Sequence, residues 1–315
     1  MIVENTKAIQ FYFKAEGDST FTLLNEPKNG CWIHLPYATQ EKLEKLALLI
    51  NIPVSELIDS LDPFEIPRLE EHLENVIVYT RHPSEQEVGF YTSTLTLVVT
   101  RDYFVTISSE DPPFIYDLIK TVKVSNSTQK SQLLTYMLMK MTQLFTAEIK
   151  KIRTIVLKRT KLHTTIDSEE ITLLTKHEEI LNQYLSSLKP VGAVLEKIKD
   201  GKRLAPQLLQ RDQILLEDLY YTVAQSEEIC SVNLRTIHSL RDSYQIIFTN
   251  NLSRTIKLLT ALTIILSIPT MIASIYGMNV ALPLADSKYA FFFLIILVMV
   301  TLVSSLKIFK RKGWL

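Results

Sequence analysis

Towards the end of this 315-residue chain, residues 258–285 carry no charged side chain, and neither do residues 289–306. A helix needs roughly 20 apolar residues to cross the hydrocarbon core of a bilayer. The first stretch exceeds that length, and the second reaches it once Phe309 or a slight tilt is allowed. The pattern predicts a hairpin of two membrane spans at about 256–278 and 289–308. Upstream the spacing changes character. Segments 9–13, 32–35, 76–80, 90–99 and 103–108 are rich in β-branched and aromatic residues and predict strands, the last two joined as a hairpin at Arg101-Asp102. Residues 39–50 have helical spacing, with Leu43, Leu46 and Ile50 on one face and Thr39 placed to cap it, and 53–61 predict a short helix. Residues 1–113, where proline is frequent, are thus expected to form a mixed α/β domain.

From Phe114 to Lys189 there is neither glycine nor proline, and long helices are predicted. Pro190, Gly192, Gly201 and Pro206 mark a turn, after which residues 207–268 again lack both breakers. If this last segment runs unbroken to Met278 it forms a helix of about 70 residues, ~105 Å long at 1.5 Å per residue. Most helical stability comes from packing an apolar face. Leu215, Leu219, Val223, Ile229, Val232, Ile237, Leu240 and Ile247 offer such a stripe, for which parallel packing against copies of the chain is the expected solution. The organisation read here is an α/β domain (1–113), a long-helix region and stalk (114–250) and a membrane hairpin with a basic tail (251–315).

Inside the first span, Thr263, Ser267, Thr270 and Ser274 recur at spacings of four, three and four, which places them on one helical face. Continued backwards, the row meets Leu259, Ile256 and Ser253. Hydroxyls within an apolar helix serve either close helix–helix packing in lipid or a water-filled lumen, and periodicity leaves both open.

Charge sets the orientation. Arg254 and Lys257 precede the first span, and Lys307, Lys310, Arg311 and Lys312 follow the second, while the connecting loop holds one Lys288 against one Asp286. Basic residues at span ends stay on the cytoplasmic side, so both termini are expected in the cytosol and Asn279 outside. No secretory signal is read at the N-terminus. Of 34 basic and 34 acidic residues, seven and one fall from residue 251 onward. That leaves 27 and 33 upstream, a soluble part of net charge about −6: a poor nucleic-acid binder, compatible with attracting cations, although a solvated acidic surface is the commoner reason for such a balance. Cys31 and Cys230 are too few and too far apart for a disulfide framework or zinc cluster. The six histidines show no ligand spacing, and no phosphate loop or catalytic triad is present, so no enzyme and no organic cofactor are expected.

At the end of the hydroxyl row stands Tyr276-Gly277-Met278-Asn279, with a second span close behind and the chain ending in Lys310-Arg311-Lys312-Gly313-Trp314-Leu315. Residues 57–75 (LIDSLDPFEIPRLEEHLEN) and Asp218-Leu219-Tyr220 are further points of similarity. In these features the chain resembles the CorA family of magnesium transporters over nearly its whole length. The resemblance implies an α+β, mainly helical membrane protein: a funnel-shaped homopentamer whose cytosolic α/β domains join long stalk helices that continue into the first spans and line one pore. It also implies influx of Mg²⁺, with Co²⁺ and Ni²⁺ as further cargo, across an inner (cell) membrane.

Mg²⁺ dehydrates reluctantly, so recognition of the hydrated ion calls for acceptors spaced to hold waters. By resemblance, Gly277, Met278 and Asn279 form the selectivity filter, Ser253, Ile256, Leu259, Thr263, Ser267, Thr270 and Ser274 line the pore, and Leu259 with Ile256 forms an apolar gate that closes by dewetting. Asp59 and Asp218 of adjacent protomers are the expected regulatory Mg²⁺ site. The chain departs from the family pattern at Pro269, one place late beside Thr270, at Ser253 where relatives often carry an asparagine ring, and in an outer loop whose only acid is Asp286. Two alternative readings are a zinc transporter of the same superfamily, against which Met278 argues, and a membrane-anchored scaffold or sensor.

Overall fold

The computed structural model describes residues 9–85, 89–122, 124, 126–162, 168–201, 210–280 and 289–314, so Pro206, Asp286 and Lys288 lie outside it. The chain divides into two compact units, residues 1–163 with 172–239, and residues 164–171 with 240–315.

The first unit is built on a seven-stranded sheet. Its strands are β1 (Gln10–Phe13), β2 (Thr22–Leu24), β3 (Trp32–Leu35), β4 (Arg68–His72), β5 (Asn75–Pro83), β6 (Thr92–Val99) and β7 (Phe104–Ser108), in the order β2-β1-β3-β7-β6-β5-β4. Only β3 and β7 pair in parallel. The β6–β7 hairpin closes at Val99 opposite Phe104, around the predicted turn. Successive strand residues face opposite sides, and here both sides are apolar. Trp32, Val76, Val78, Leu97, Val99 and Phe104 enter one core, while Ile33, Ile77, Tyr79, Val98 and Val105 enter the other. The two strands absent from the sequence reading, β2 and β4, are the sheet edges. There a short or charged segment such as RLEEH is tolerated because one side of the strand has no partner.

Helix α1 (Gln40–Ile50) covers the second core with Leu43, Leu46, Ala47 and Ile50. Thr39 stands at its N-cap position, but the expected side-chain cap is not made; its carbonyl accepts from Leu43 N at 2.9 Å instead. The predicted helix at 53–61 is two 3-10 turns, Val54–Glu56 and Ile58–Leu61.

Helices α2 (Pro113–Thr121), α3 (Lys130–Leu162), α4 (Ser168–Leu188), α5 (Val191–Asp200) and α6 (Gln210–Tyr276) follow. Of the turn predicted from Pro190, Gly192, Gly201 and Pro206, the described part is α5, with Pro190 at its N-cap, Gly192 in its first turn and Gly201 at its C-cap. Proline is tolerated at the start of a helix, so Pro190 and Gly201 bracket an element rather than interrupt one. In the part of α6 that belongs to the first unit the buried positions are Asp212, Leu216, Leu219, Val223, Ser226, Cys230, Asn233 and Ile237, alternating by four and three. This is a 3.5-residue seam of the coiled-coil kind. Of the predicted stripe, Leu219, Val223 and Ile237 lie on it, whereas Val232 and Ile247 are exposed. Three of the four polar residues of the seam find partners on α3 or α4. Gln132 Nε2 donates to Asp212 Oδ1 at 2.9 Å, Thr146 and Ser226 hydroxyls meet at 2.6 Å, and Cys230 Sγ donates to Leu181 O at 3.3 Å. Both α3–α6 pairs are 80 residues apart, so the two helices run parallel. The buried seam of this stretch thus packs against the chain's own helices, while Val232 and Ile247 of the predicted stripe stay exposed.

The second unit contains the remainder of α6 and α7 (Ala290–Arg311), the two described helices long and apolar enough to cross a membrane. Ala261 and Ile265 of α6 are buried, and Ile268, Ile272 and Tyr276 are partly so. Leu294, Val298, Leu302 and Ser305 make the corresponding half-buried stripe on α7.

Candidate ion pathway

The helix carries Thr263, Ser267, Thr270 and Ser274 on the side opposite Ala261 and Ile265, and all four are exposed along one shallow groove shared with Leu266, Met271 and Ile275. The hydroxyl protons of three of them are used locally. Thr263 donates to Leu259 O at 2.8 Å, Ser267 to Thr263 O at 2.7 Å and Thr270 to Leu266 O at 2.9 Å. A hydroxyl has one proton and two lone pairs, so these three present acceptors outward. Water bound to a cation turns its protons outward, and a row of acceptors matches it. Pro269 sits inside α6 without ending it.

Leu259 and Ile256 extend the row and are 65% and 54% exposed. Ser253, also exposed, lies off the row's line by most of a quarter turn, about 80° at 3.6 residues per turn. Apart from the hydroxyl row, the surface of the hairpin is a continuous display of Leu, Ile, Met and Phe on both helices. Such a surface is not maintained against water, and it marks contact with lipid or with other helices.

At its end the helix unwinds through the signature. Gly277 N donates to Ala273 O at 3.0 Å and Met278 N to Ile275 O at 3.2 Å, closing the last turn. The negative end of the helix dipole therefore lies where Gly277, Met278 and exposed Asn279 stand. Gly277 does not adopt the left-handed conformation, and a Cβ there would meet Ala273 O at 3.4 Å, an ordinary contact. Within one chain the backbone turn therefore does not by itself require glycine.

Asp59 lies in the second 3-10 turn and is half-exposed. Arg68 Nη2 donates to its Oδ2 at 2.7 Å, and the same guanidinium binds Glu65 and, at 2.8 Å, Glu70. It also lies 4.3 Å from the centre of the Tyr79 ring. Burial works against the Arg68 charge, but its hydrogen bonds to Glu70 and Asp59 prevail and raise its pKa. The sequence reading missed this partner, although Arg68 belongs to the same acidic segment. Asp218 is exposed on α6. Its carbonyl accepts from Thr222 Oγ1 at 2.7 Å, and among the described residues its carboxylate forms no ion pair. Among the described residues no three His, Cys, Asp or Glu side chains converge on a metal position within one chain.

An α/β unit joined by one continuous helix to an apolar hairpin, with a polar row on the first span, defines an integral membrane protein of the ion-transporting class. A family model described as CorA-like Mg²⁺ transporter protein matches residues 27–311. The Cobalt/magnesium transport protein CorA of Methanocaldococcus jannaschii is 27% identical over 295 residues, covering 90% of this chain and 91% of that protein. The Magnesium transport protein CorA of Helicobacter pylori is 28% identical over 151 residues, 44% of this chain and 46% of that one. The complete structure of the Methanocaldococcus jannaschii CorA magnesium transporter has a TM-score of 0.76 at 26% identity, covering 98% of this chain and 99% of that one. The chain belongs to the CorA-like Mg²⁺ transporter family.

Proposed function

We propose that this Mg²⁺ transporter is a homopentameric channel, funnel-shaped, whose first spans surround one pore and whose termini lie in the cytosol. The carrying observation is the hydroxyl row of α6, exposed in the single chain and leading directly to Gly277, Met278 and Asn279. Five copies of Asn279, with the carbonyl of Gly277 and the helix C-termini, offer acceptors and negative potential to a hydrated cation before it loses water. Thr270, Ser267 and Thr263 pass it inward, and Leu259 with Ile256, then Ser253, form the constriction at the cytosolic end. A negative interior drives entry, with about 2.3 kcal/mol per charge per 100 mV, doubled for a divalent ion. Glycine at 277 serves the crowding of five helix ends, since the turn within one chain does not require it.

Closure is assigned to Mg²⁺ held between Asp59 of one protomer and Asp218 of the next. The oxygen-only donor set fits Mg²⁺, and both carboxylates are accessible. Arg68 pairs with Asp59 within the chain, so a divalent ion there must share or displace that cation. A bound ion converts repulsion between carboxylates into a clamp.

Ion flux into liposomes containing the purified protein, with Mg²⁺, Co²⁺, Ni²⁺ and Zn²⁺ compared, tests the assignment. Mg²⁺ flux blocked by hexaamminecobalt, a mimic of the hydrated ion, is the expected result. Co²⁺ is the second expected cargo, since affinity at nitrogen and oxygen sites usually exceeds that for Mg²⁺. Zn²⁺ flux without Mg²⁺ flux would replace the assignment, and no flux at all would favour a scaffold.

A further inference from the structure

Arg81, on β5 in the soluble unit, is 8% exposed. Its guanidinium donates to Thr92 Oγ1 at 2.9 Å, Thr92 O at 3.0 Å, Glu65 O at 3.1 Å and Thr94 Oγ1 at 3.5 Å. Every acceptor is neutral. Among the described residues no carboxylate forms an ion pair with it. The nearby acids are engaged elsewhere, Glu65 with Arg68 and Asp62 Oδ1 with the Phe64 amide at 2.8 Å. Burial lowers the Arg81 pKa, with the field of Asp62 opposing it. A buried charge is costly unless it is paired, and arginine stays charged in proteins. Its counterion is therefore to be sought in the space it faces.

That space is a cavity of about 420 Å³, whose lining includes Arg81, Phe64, Ile66, Phe90, Gln183 and Lys189. Phe64 and Phe90 form one aromatic wall, their ring centres 5.3 Å apart. Gln183 of α4 pins the adjoining strand end, accepting from Tyr91 N at 2.9 Å and donating to Gly89 O at 2.6 Å. Lys189, exposed at the end of α4, forms no ion pair among the described residues. The cavity falls within the size range of small-molecule sites, which combine apolar walls with a few placed polar groups. An apolar wall beside two cations does not suit a bare inorganic ion, which would leave the wall unused, nor a neutral ligand, which would leave the charges unpaired.

We propose that this cavity binds a small aromatic anion, with its phosphate or carboxylate head at Arg81 and Lys189 and its ring on Phe64, Ile66 and Phe90. The cavity shares no lining residue with the ion pathway and is lined by neither Asp59 nor Asp218, although Glu65, which also lines it, pairs with the Arg68 that holds Asp59. Ligand-observed NMR and calorimetry on the purified full-length protein, with phenyl phosphate, benzoate, inorganic phosphate and benzyl alcohol as probes, test it. At least one aromatic anion binds, and inorganic phosphate and benzyl alcohol each bind about tenfold more weakly or not at all. Lys189→Gln and Phe64→Ala, both at exposed positions, each weaken the aromatic anion by about tenfold, and thermal melting shows that both fold. Arg81→Lys, which keeps the charge, retains more binding than Arg81→Gln. Benzyl alcohol binding as well as both anions, anion binding unchanged by Lys189→Gln and Phe64→Ala, or no binding of either anion at millimolar concentration would each overturn the proposal.

Discussion

Asn279 is one exposed amide at the end of a 67-residue helix, and its weight comes from where it stands. Asn279→Ala is expected to abolish or severely reduce Mg²⁺ uptake while leaving the oligomer intact on gel filtration, because in the proposed assembly it removes a ring of water acceptors and no buried contact. Uptake at the wild-type rate would sink the filter assignment. At the opposite pole of exposure is His82, 2% accessible, with Nε2 3.2 Å from Glu110 and its ring on Phe114. Burial holds its pKa below the ordinary histidine range, with Glu110 pulling the other way. The unfolded chain takes up this proton near pH 6.5, while the folded chain resists until lower pH. The contribution is thus intact above about pH 6.5 and lost as pH falls through the folded pKa. Melting temperatures measured from pH 7.5 to 5.5 should fall less steeply for His82→Gln than for wild type; parallel curves would remove His82 from the acid response.

Along the elements, cysteines introduced at Thr263, Ser267, Thr270 and Ser274 should react with small water-soluble thiol reagents in open channels, and those at Ile264 and Ile265 should not. The background is low. Cys31 and Cys230 are fully buried, and burial pushes the Cys230 thiol up to about 12, so little thiolate is available at neutral pH. Uniform labelling, or none in an active channel, would argue against a lumen-facing row. The seam of α6 offers a second test. Asn233 is buried, and its Nδ2 has no acceptor among the described residues. A buried donor left unmade costs ~1–3 kcal/mol, so Asn233→Leu should raise the melting temperature of the soluble unit by a few degrees. A lower value would mean that the amide has a partner in the assembled protein. The helices themselves were plain in the sequence, because residues 114–189 lack breakers. Element α5 was not, since Pro190 and Gly201 are as compatible with a turn as with the ends of a short helix.

At the scale of the whole molecule, the proposed clamp between Asp59 and Asp218 makes a regulatory prediction. Asp59→Lys combined with Asp218→Lys should leave channels that no longer close as internal Mg²⁺ rises, because fixed positive charge expels the ion. Closure with the wild-type dose dependence would take the clamp out of the account. Arg68→Met should shift closure to lower Mg²⁺, since it removes the cation already on Asp59; an unchanged dose dependence would show that Arg68 does not compete. The shift is limited by the ion's differential affinity for open and closed states.

Hydropathy and charge along the chain determined two spans, the membrane setting and the polar row, because those properties are local to a helix and follow from its 3.6-residue period. The signature after Tyr276 was likewise legible, being contiguous in sequence. Tertiary structure decided what depends on distant partners. Edge strands β2 and β4 exist because neighbouring strands offer backbone pairing that outweighs their composition. The seam of α6 admits Asp212 and Ser226 because Gln132 and Thr146, far away in sequence, supply their hydrogen bonds. Arg68 reaches Asp59 across nine residues, and Arg81 is buried without a carboxylate at the wall of a cavity. Burial and pairing of a charge are properties of the space around it, and that space is assembled only when the strands and helices pack.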